Sequence, residues 1–321
     1  MRIAVAGSIA TDHLFSFDGR FVELLLPEQL GKLSLSFLAT DLQVRQGGTG
    51  ANIAFGMGVL GGNPLLVGAV GRDAEDYLRW LADHGVDTSA VRVSETLATA
   101  RFTCTTDQDL SQLATFYPGA MAEAAEIDIV SLGRLDLVVI APDDPGAMLR
   151  HSASCRDRGI PFAADPSQQL AYMDGGSIRA LVEGATYLFT NEYEAGLVHE
   201  KTGWSPDDVL ERVGTRVTTH GSSGVVVERK GEDPVRVGVV PARAVAEPTG
   251  VGDAFRAGFL TATGWGVGTE RRCQVGALLA TLVVETVGTQ EYDYDRTAFL
   301  DRLGDAYGAD AADEIGQHLP G

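Results

Sequence analysis

Short continuous apolar runs rich in Val, Ile and Leu recur along the chain: Arg2–Gly7 (RIAVAG), Pro64–Val70 (PLLVGAV), Leu135–Ala141 (LDLVVIA), Ile160–Asp165 (IPFAAD), Tyr187–Thr190 (YLFT), Arg216–His220 (RVTTH) and Gly224–Glu228 (GVVVE). Runs of this kind predict strands buried on both faces, as in parallel sheets. Helical patterns separate many of them, among them Asp73–Gly85 and Gly146–Gly159, each closing on a glycine suited to a helix C-terminus. Alternating strands and helices predict βαβ units, one sheet layered between helices. From Gly252 to Leu319 the pattern turns mainly helical, and Gln274–Gly288 predicts a buried helix. Two segments, residues 13–46 and 97–117, break the rhythm with short alternating pieces such as Thr99–Thr106 (TARFTCTT) and with Phe15, Phe17, Phe21, Phe37, Phe102 and Phe116. Alternation predicts half-buried antiparallel strands. They form either a small β-lid inserted into the main domain or ordinary surface excursions; the lid is the expectation taken forward.

Composition narrows the class. At roughly 100–200 residues per domain, 321 residues make one large domain or two modest ones. The absence of repeats and low-complexity linkers favours a single domain over 1–321. A formal charge of −19 with no Lys/Arg run argues against nucleic-acid binding, which needs basic surface. Three cysteines, Cys104, Cys155 and Cys273, without a Cys-x-x-Cys pair, fit a reducing compartment. No secretory signal pattern opens the chain, and no apolar stretch reaches the length of about 18 residues expected of a membrane span. A cytoplasmic protein is the expectation.

Several glycine-rich stretches carry candidate chemistry. Gly56–Gly61 (GMGVLG) matches a dinucleotide fingerprint by spacing, but falls late in a helical stretch instead of between strand and helix, so it is discarded. No P-loop pattern exists, and the six histidines lack metal-ligand spacing. Gly47–Asn52 (GGTGAN) opens a helix; its glycines could admit a ligand close to the backbone, or only loosen the helix start. In Thr190–Glu194 (TNEYE), Asn191 and Glu194 are spaced for a capping box, or for phosphate and metal contact. Thr219–Gly224 (THGSSG) joins two strand-like runs, as a hairpin turn or as a nucleotide site.

The sharpest motif is Pro248–Phe255 (PTGVGDAF). Amides at Gly250, Val251 and Gly252 lead into a helix start and form an anion-binding concavity. Asp253 there is either a plain cap, worth about 1 kcal/mol, or a base beside a phosphoryl group. A cap does not account for the preceding glycines and threonine. The helix end should stabilise the aspartate anion and lower its basicity.

In this order, Gly7–Asp12 (GSIATD), GGTGAN, NEYE, THGSSG and PTGVGD resemble the ribokinase-like (PfkB-type) carbohydrate and nucleoside kinases, from residue 7 to 253. The resemblance implies an α/β three-layer sandwich with a mostly parallel central sheet and an inserted β-lid. It implies ATP as co-substrate, Asp253 as base, and Gly250, Val251 and Gly252 as anion hole. Asn191 would contact phosphate, Glu194 would order water on Mg²⁺, and Thr219, His220, Gly221, Ser222, Ser223 and Gly224, with Gly252, would bind ATP. Glu247 stands where the family pattern begins with Asp, which leaves monovalent-cation activation open. Within the family, the stretches GSIATDHL, ARFTCTT, FYPGAM, ADPSQQLA and PTGVGDAFRAGFL resemble bacterial adenosine kinases. That likeness implies a ribose site at Asp12, with Gly48 and Asn52, further nucleoside contacts from Ser8, Ser36, Gln168 and Gln169, and purine stacking by Phe102 and Phe116. It also implies transfer to the 5′-hydroxyl of adenosine and a homodimer through the lid. Guanosine or inosine, and ribose or fructose, are the alternative acceptors; a non-catalytic ligand sensor is the alternative class.

Overall fold

The computed structural model describes residues 1–24 and 36–321, so part of the expected first insertion lies outside the described residues. The elements run β1 (Ile3–Ala6), β2 (Ala10–Ser16), α1 (Phe21–Leu24), β3 (Asp41–Gly47), α2 (Thr49–Val59), β4 (Leu65–Val70), α3 (Glu75–Asp83), β5 (Asp87–Val93), β6 (Ala100–Thr106) and β7 (Gln112–Tyr117). They continue with β8 (Leu137–Ile140), α4 (Pro145–Arg158), β9 (Phe162–Ala164), α5 (Gly175–Val182), β10 (Tyr187–Asn191), α6 (Glu192–Thr202), α7 (Pro206–Leu210), β11 (Thr215–Thr219), β12 (Val225–Glu228) and β13 (Val235–Val237). Four helices end the chain: α8 (Val251–Trp265), α9 (Thr269–Val284), α10 (Arg296–Tyr307) and α11 (Ala309–Gly316).

Among the described residues, a nine-stranded sheet has the order β13-β12-β11-β10-β9-β8-β1-β4-β5. Every pairing from β11 to β5 is parallel; β12 and β13 add an antiparallel edge. Side chains along a strand alternate between faces, and both faces here are apolar. Ile3, Val5, Leu137, Val139 and Phe189 join one core with Phe55, Phe259, Leu278 and Phe299 of α2, α8, α9 and α10. Ala4, Ala6, Val138, Ile140 and Leu188 join the other with Met148, Ile178, Val198 and Val209 of α4, α5, α6 and α7. Six of the seven continuous apolar runs therefore became parallel strands, because helices cover both sides, while Gly224–Glu228 became the antiparallel, half-buried β12. Among the described residues no helix is long and apolar enough to cross a membrane.

The second sheet has the order β3-β2-β6-β7. Its outer pairings are antiparallel, but β2 and β6 run parallel, a departure from the antiparallel expectation. Their chains leave the large sheet at different points, after β1 and after β5, and enter the small sheet from the same end. GMGVLG begins inside α2: a Cβ on Gly56 would come within 2.7 Å of Ala257 Cβ, and one on Gly58 would run into the His84 carbonyl oxygen. Those glycines serve helix packing, as their misplacement within the helix predicts.

α8 and α9 meet glycine to glycine, a Cβ on Gly258 lying 2.7 Å from Gly276 Cα. Only backbone fills that contact, so nothing flexible can yield. Gly258→Val should lower stability by at least the ~1–3 kcal/mol typical of overpacking, read as a fall in thermal midpoint. An unchanged midpoint would show that the two helices can separate freely.

Candidate active site

The order of the large sheet reverses between β1 and β8: the chain builds outward through β4 and β5 on one side and β8 to β11 on the other. A crevice opens at the carboxyl ends of strands at such a point. Gly7 and Ser8 leave β1 there, and Ser8 Oγ accepts the Thr49 N–H at 3.0 Å at the start of α2. Gly48 has φ +94°, and a Cβ on it would lie 2.6 Å from the Ser8 carbonyl oxygen; one on Gly50 would lie 2.5 Å from the Gly7 carbonyl carbon. These glycines let α2 abut the chain leaving β1. The space a Cβ would need beside them is filled by protein backbone.

Asp253 is the third residue of α8, whose N-cap is Gly250 with φ +77° and no side-chain cap. The plain-cap alternative therefore fails: its carboxylate accepts Asn52 Nδ2–H at 2.9 Å through Oδ2, not a helix amide. The opening amides of a helix lack intrahelical acceptors; Val251 N–H reaches only the Pro248 carbonyl, at 3.4 Å. Burial raises the Asp253 pKa to about 6, with Arg256 and the Asn52 bond opposing and Glu194 reinforcing. The expected lowering of its basicity is thus not seen: removal from water outweighs the Arg256 charge and the Asn52 bond.

Behind this turn lies a charge cluster that sequence reasoning missed. Arg256, buried one turn further along α8, pairs through Nε with Asp165 Oδ2 at 2.6 Å and lies 3.8 Å from Glu194 Oε2. Asp165 ends the β9 run fully buried, and burial raises its pKa to about 7 against the pull of Arg256. The available signal was a lone arginine inside an apolar helical stretch, which must find a counter-charge. Gly252 makes room for it: a Cβ there would meet Arg256 Nη1 at 2.8 Å.

The capping-box alternative for TNEYE is realised in both directions. Asn191 Oδ1 accepts the Glu194 N–H, and Glu194 Oε2 accepts the Asn191 N–H, each at 2.8 Å. Glu194 Oε1 has Ser167 Oγ at 3.5 Å, a long contact. Among the described residues no three acidic, histidine or cysteine side chains group as a metal cage. One partly free carboxylate oxygen fits instead an ion carried by phosphates and touched through water, the usual habit of Mg²⁺.

Strand register aligns the small sheet's candidates. Arg45, Asp12, Phe102 and Phe116 are directly opposite one another across β3, β2, β6 and β7 and so share one face. Phe116 is 51% exposed, and Asp12 lies against Gly47. Burial raises the Asp12 pKa to about 6, Glu247 and Glu291 adding to it and Arg45 opposing. Glu247 accepts from Arg45 Nη1 and from the Gly288 N–H, both at 3.0 Å, tying this sheet to the loops around α8 and α9.

Thr219–Gly224 forms the hairpin turn between β11 and β12, closed by His220 N–H to the Gly224 carbonyl at 2.7 Å. Thr219, Gly221, Ser222 and Gly224 also line a mostly apolar cavity of about 470 Å³ with Val240, Phe255, Ala277 and Gly252. Gly252 thus belongs both to the cavity and to the α8 turn. His220 turns elsewhere, its Nδ1 2.9 Å from Glu192 Oε1, and Ser223 is not among the lining residues.

Other expected residues are less closely gathered. Ser36 is exposed on the coil before β3. Gln168 is exposed and accepts from Ser167 Oγ at 2.8 Å, while Gln169 Nε2 donates to the Asp143 carbonyl at 2.9 Å. Asp143, following β8, is buried with Oδ2 lacking a partner, and burial raises its pKa to about 8.

This architecture is ribokinase-like: a ribokinase from Cryptococcus neoformans var. grubii superposes with TM-score 0.78 over 94% of this chain and 99% of its own, at 19% identity. Residues 20–295 match the family model for pfkB family carbohydrate kinases, and the chain belongs to that family. It is similar to a nucleoside kinase of Burkholderia thailandensis, 34% identical with TM-score 0.86, covering 94% of this chain and 99% of that one. That relative has also been solved with inosine and with ADP and inosine. A nucleoside kinase of Methanocaldococcus jannaschii is 28% identical with TM-score 0.84, covering 95% and 98% respectively.

The buried Asp143 carboxyl makes stability depend on pH. Unfolded, it ionises near pH ~4; folded, it holds its proton up to about pH 8. The folded state binds the extra proton, so this contribution falls as pH rises through that window. Asp143→Asn should therefore gain thermal midpoint over the parent at pH 8 and lose that gain near pH 4. The same difference at both pH values would mean the carboxyl is solvated or paired.

Proposed function

We propose that the protein is an ATP-dependent nucleoside kinase that transfers the γ-phosphoryl group to the 5′-hydroxyl of adenosine, giving AMP and ADP. The observation that carries this reading is the shared mouth at Gly252, where an apolar cavity meets the opening amides of α8, which no side chain caps, beside Asp253. The adenine of ATP fits that cavity, with Thr219–Gly224 along the ribose and phosphates. Amides of Gly250, Val251 and Gly252 receive the phosphoryl group, and stabilisation by fixed donors is a large part of such catalysis. Asp253, ionised at neutral pH with a pKa of about 6, takes the hydroxyl proton through the oxygen that Asn52 leaves free. Little early proton removal is needed in a loose phosphoryl-transfer transition state. Glu194 through water, with Asn191 toward the phosphates, would hold Mg²⁺, which when bound neutralises phosphate charge.

The row Asp12–Phe102–Phe116 supports a nucleoside over a simple sugar: a carboxylate for ribose hydroxyls stands beside flat aromatic faces for a base. Asn52 retains one amide hydrogen for the ribose. The small sheet acts as a lid that excludes water. Its opposite face exposes Leu42, Val44 and Leu113, and a second copy of the chain is the proposed cover. Inosine is the second reading, favoured by the inosine complex of the B. thailandensis relative.

Coupled ADP detection with adenosine, guanosine, inosine, ribose and fructose tests both readings, and adenosine should give the highest kcat/KM. Preference for ribose or fructose would contradict the nucleoside site. In the same assay Asp253→Asn should lose roughly 10²–10⁴-fold in kcat, the range for general acid–base catalysis, with nucleoside binding retained. Near-normal turnover would remove Asp253 from the chemistry.

Phe102→Ala should raise the KM for adenosine well above any change in KM for ATP. Equal effects on both would assign Phe102 to the packing of its own sheet.

A further inference from the structure

Asn52 holds one oxygen of Asp253, and what holds Asn52 reaches well beyond the cleft. Trp80 Nε1–H, on α3, donates to Gln290 Oε1 at 3.2 Å. An indole nitrogen is a donor only, so this contact fixes which way the Gln290 amide faces. Gln290 Nε2 then donates to Asn52 Oδ1 at 3.0 Å and to Tyr77 Oη at 2.6 Å. Tyr77 passes its own hydroxyl hydrogen to the Gly47 carbonyl at 2.8 Å. Asn52 Oδ1 also has Thr289 Oγ1 at 3.0 Å. With Oδ1 so occupied, the Asn52 atom facing Asp253 Oδ2 must be Nδ2, at 2.9 Å. Turning the Asn52 amide over would set its oxygen against the carboxylate and its hydrogens against those of Gln290.

The chain of donors runs one way, from indole through two amides to the carboxylate. Gln290, Tyr77 and Asn52 are all buried, where a missing partner is costly. None of these contacts involves Arg256, Asp165 or Glu194, the charged groups around Asp253 from α8, the end of β9 and α6. The same cluster anchors the root of the small sheet, because Gly47 closes β3 and Thr289 Oγ1 lies 3.2 Å from the Gln46 carbonyl.

We propose that Trp80 and Gln290 are positioning residues for phosphoryl transfer: through Asn52 they lock Oδ2 of Asp253 and leave Oδ1 presented to the acceptor hydroxyl. This rests on Asp253 being the base. Tyr77 makes the same amide answer to the base of the small sheet, so the seating of that sheet and the aim of the carboxylate share one residue.

Gln290→Glu, assayed at alkaline pH where the carboxyl is ionised, tests the direction of the chain, since a carboxylate of the same shape accepts from Trp80 but donates nothing to Asn52. Its kcat should fall tenfold or more, the effect of ~1.4 kcal/mol in the barrier, with the KM for ATP unchanged. Trp80→Phe, which keeps the ring and deletes the donor, should show a smaller loss of the same kind and covers the case that Gln290→Glu fails to fold. Each is repeated in an Asp253→Asn background, where residues acting through Asp253 should cause no further loss. Wild-type kcat in a folded Gln290→Glu and in Trp80→Phe would overturn the proposal and leave the base assignment standing. An equal fractional loss with and without Asp253 would also overturn it, by showing an effect on folding alone. Full turnover in Asp253→Asn by itself would instead remove the base reading on which the proposal stands.

Discussion

A carboxylate drawn partly out of water beside a buried arginine feels two opposed influences, and at Asp253 the loss of hydration prevails. The helix end and Arg256 favour the anion; burial disfavours it. The outcome, a pKa of about 6, leaves a group that is charged at neutral pH yet more basic than an exposed aspartate. A residue so balanced cannot be held by the helix alone. Asn52 fixes one oxygen from α2, and Arg256 with Asp165 supplies a buried cation and its counter-charge beneath. Removing Arg256 would leave Asp165 as an uncompensated buried charge, among the most costly faults a protein interior can carry.

The fold supplies this arrangement through close backbone approaches. Gly7 against Gly50 brings α2 to the end of β1, Gly258 against Gly276 seats α8 on α9, and Gly252 admits Arg256 under the turn. The Gly7–Gly50 and Gly258–Gly276 contacts are ones that any side chain would block. The apolar cavity then opens beside the Asp253 turn, because Gly252 belongs to both. The small sheet is not a loose appendage, for Arg45, Gln46 and Gly47 bind it to Glu247, Thr289 and Tyr77 of the main body.

The parallel strands and their flanking helices were legible because burial on both faces writes itself as unbroken apolar runs such as Leu137–Ile140. The shared face of Asp12, Phe102 and Phe116 follows from period-two alternation only once register is known, and no local signal predicts the parallel pairing of β2 with β6. Asp253 stood out in the sequence through its glycines, but the rise in its pKa did not, since a sequence shows the helix end and hides the burial. Asp165, Arg256, Tyr77 and Gln290 went unnoticed because their partners lie far away in sequence. Asn191 and Glu194 kept the local bonds that their spacing predicts, and that left open whether they do anything more.

The central claim is that the first amides of α8 cradle a phosphoryl group in flight while Asp253 faces the alcohol. A crystal structure of the protein with ADP, a nucleoside and a metal-fluoride mimic of the phosphoryl group tests it most directly. The account predicts the mimic on the amides of Gly250, Val251 and Gly252, with the 5′-hydroxyl about 3 Å or less from Asp253 Oδ1, within hydrogen-bond range. A mimic bound away from that turn, or a nucleoside whose 5′-hydroxyl points away from Asp253, would contradict it.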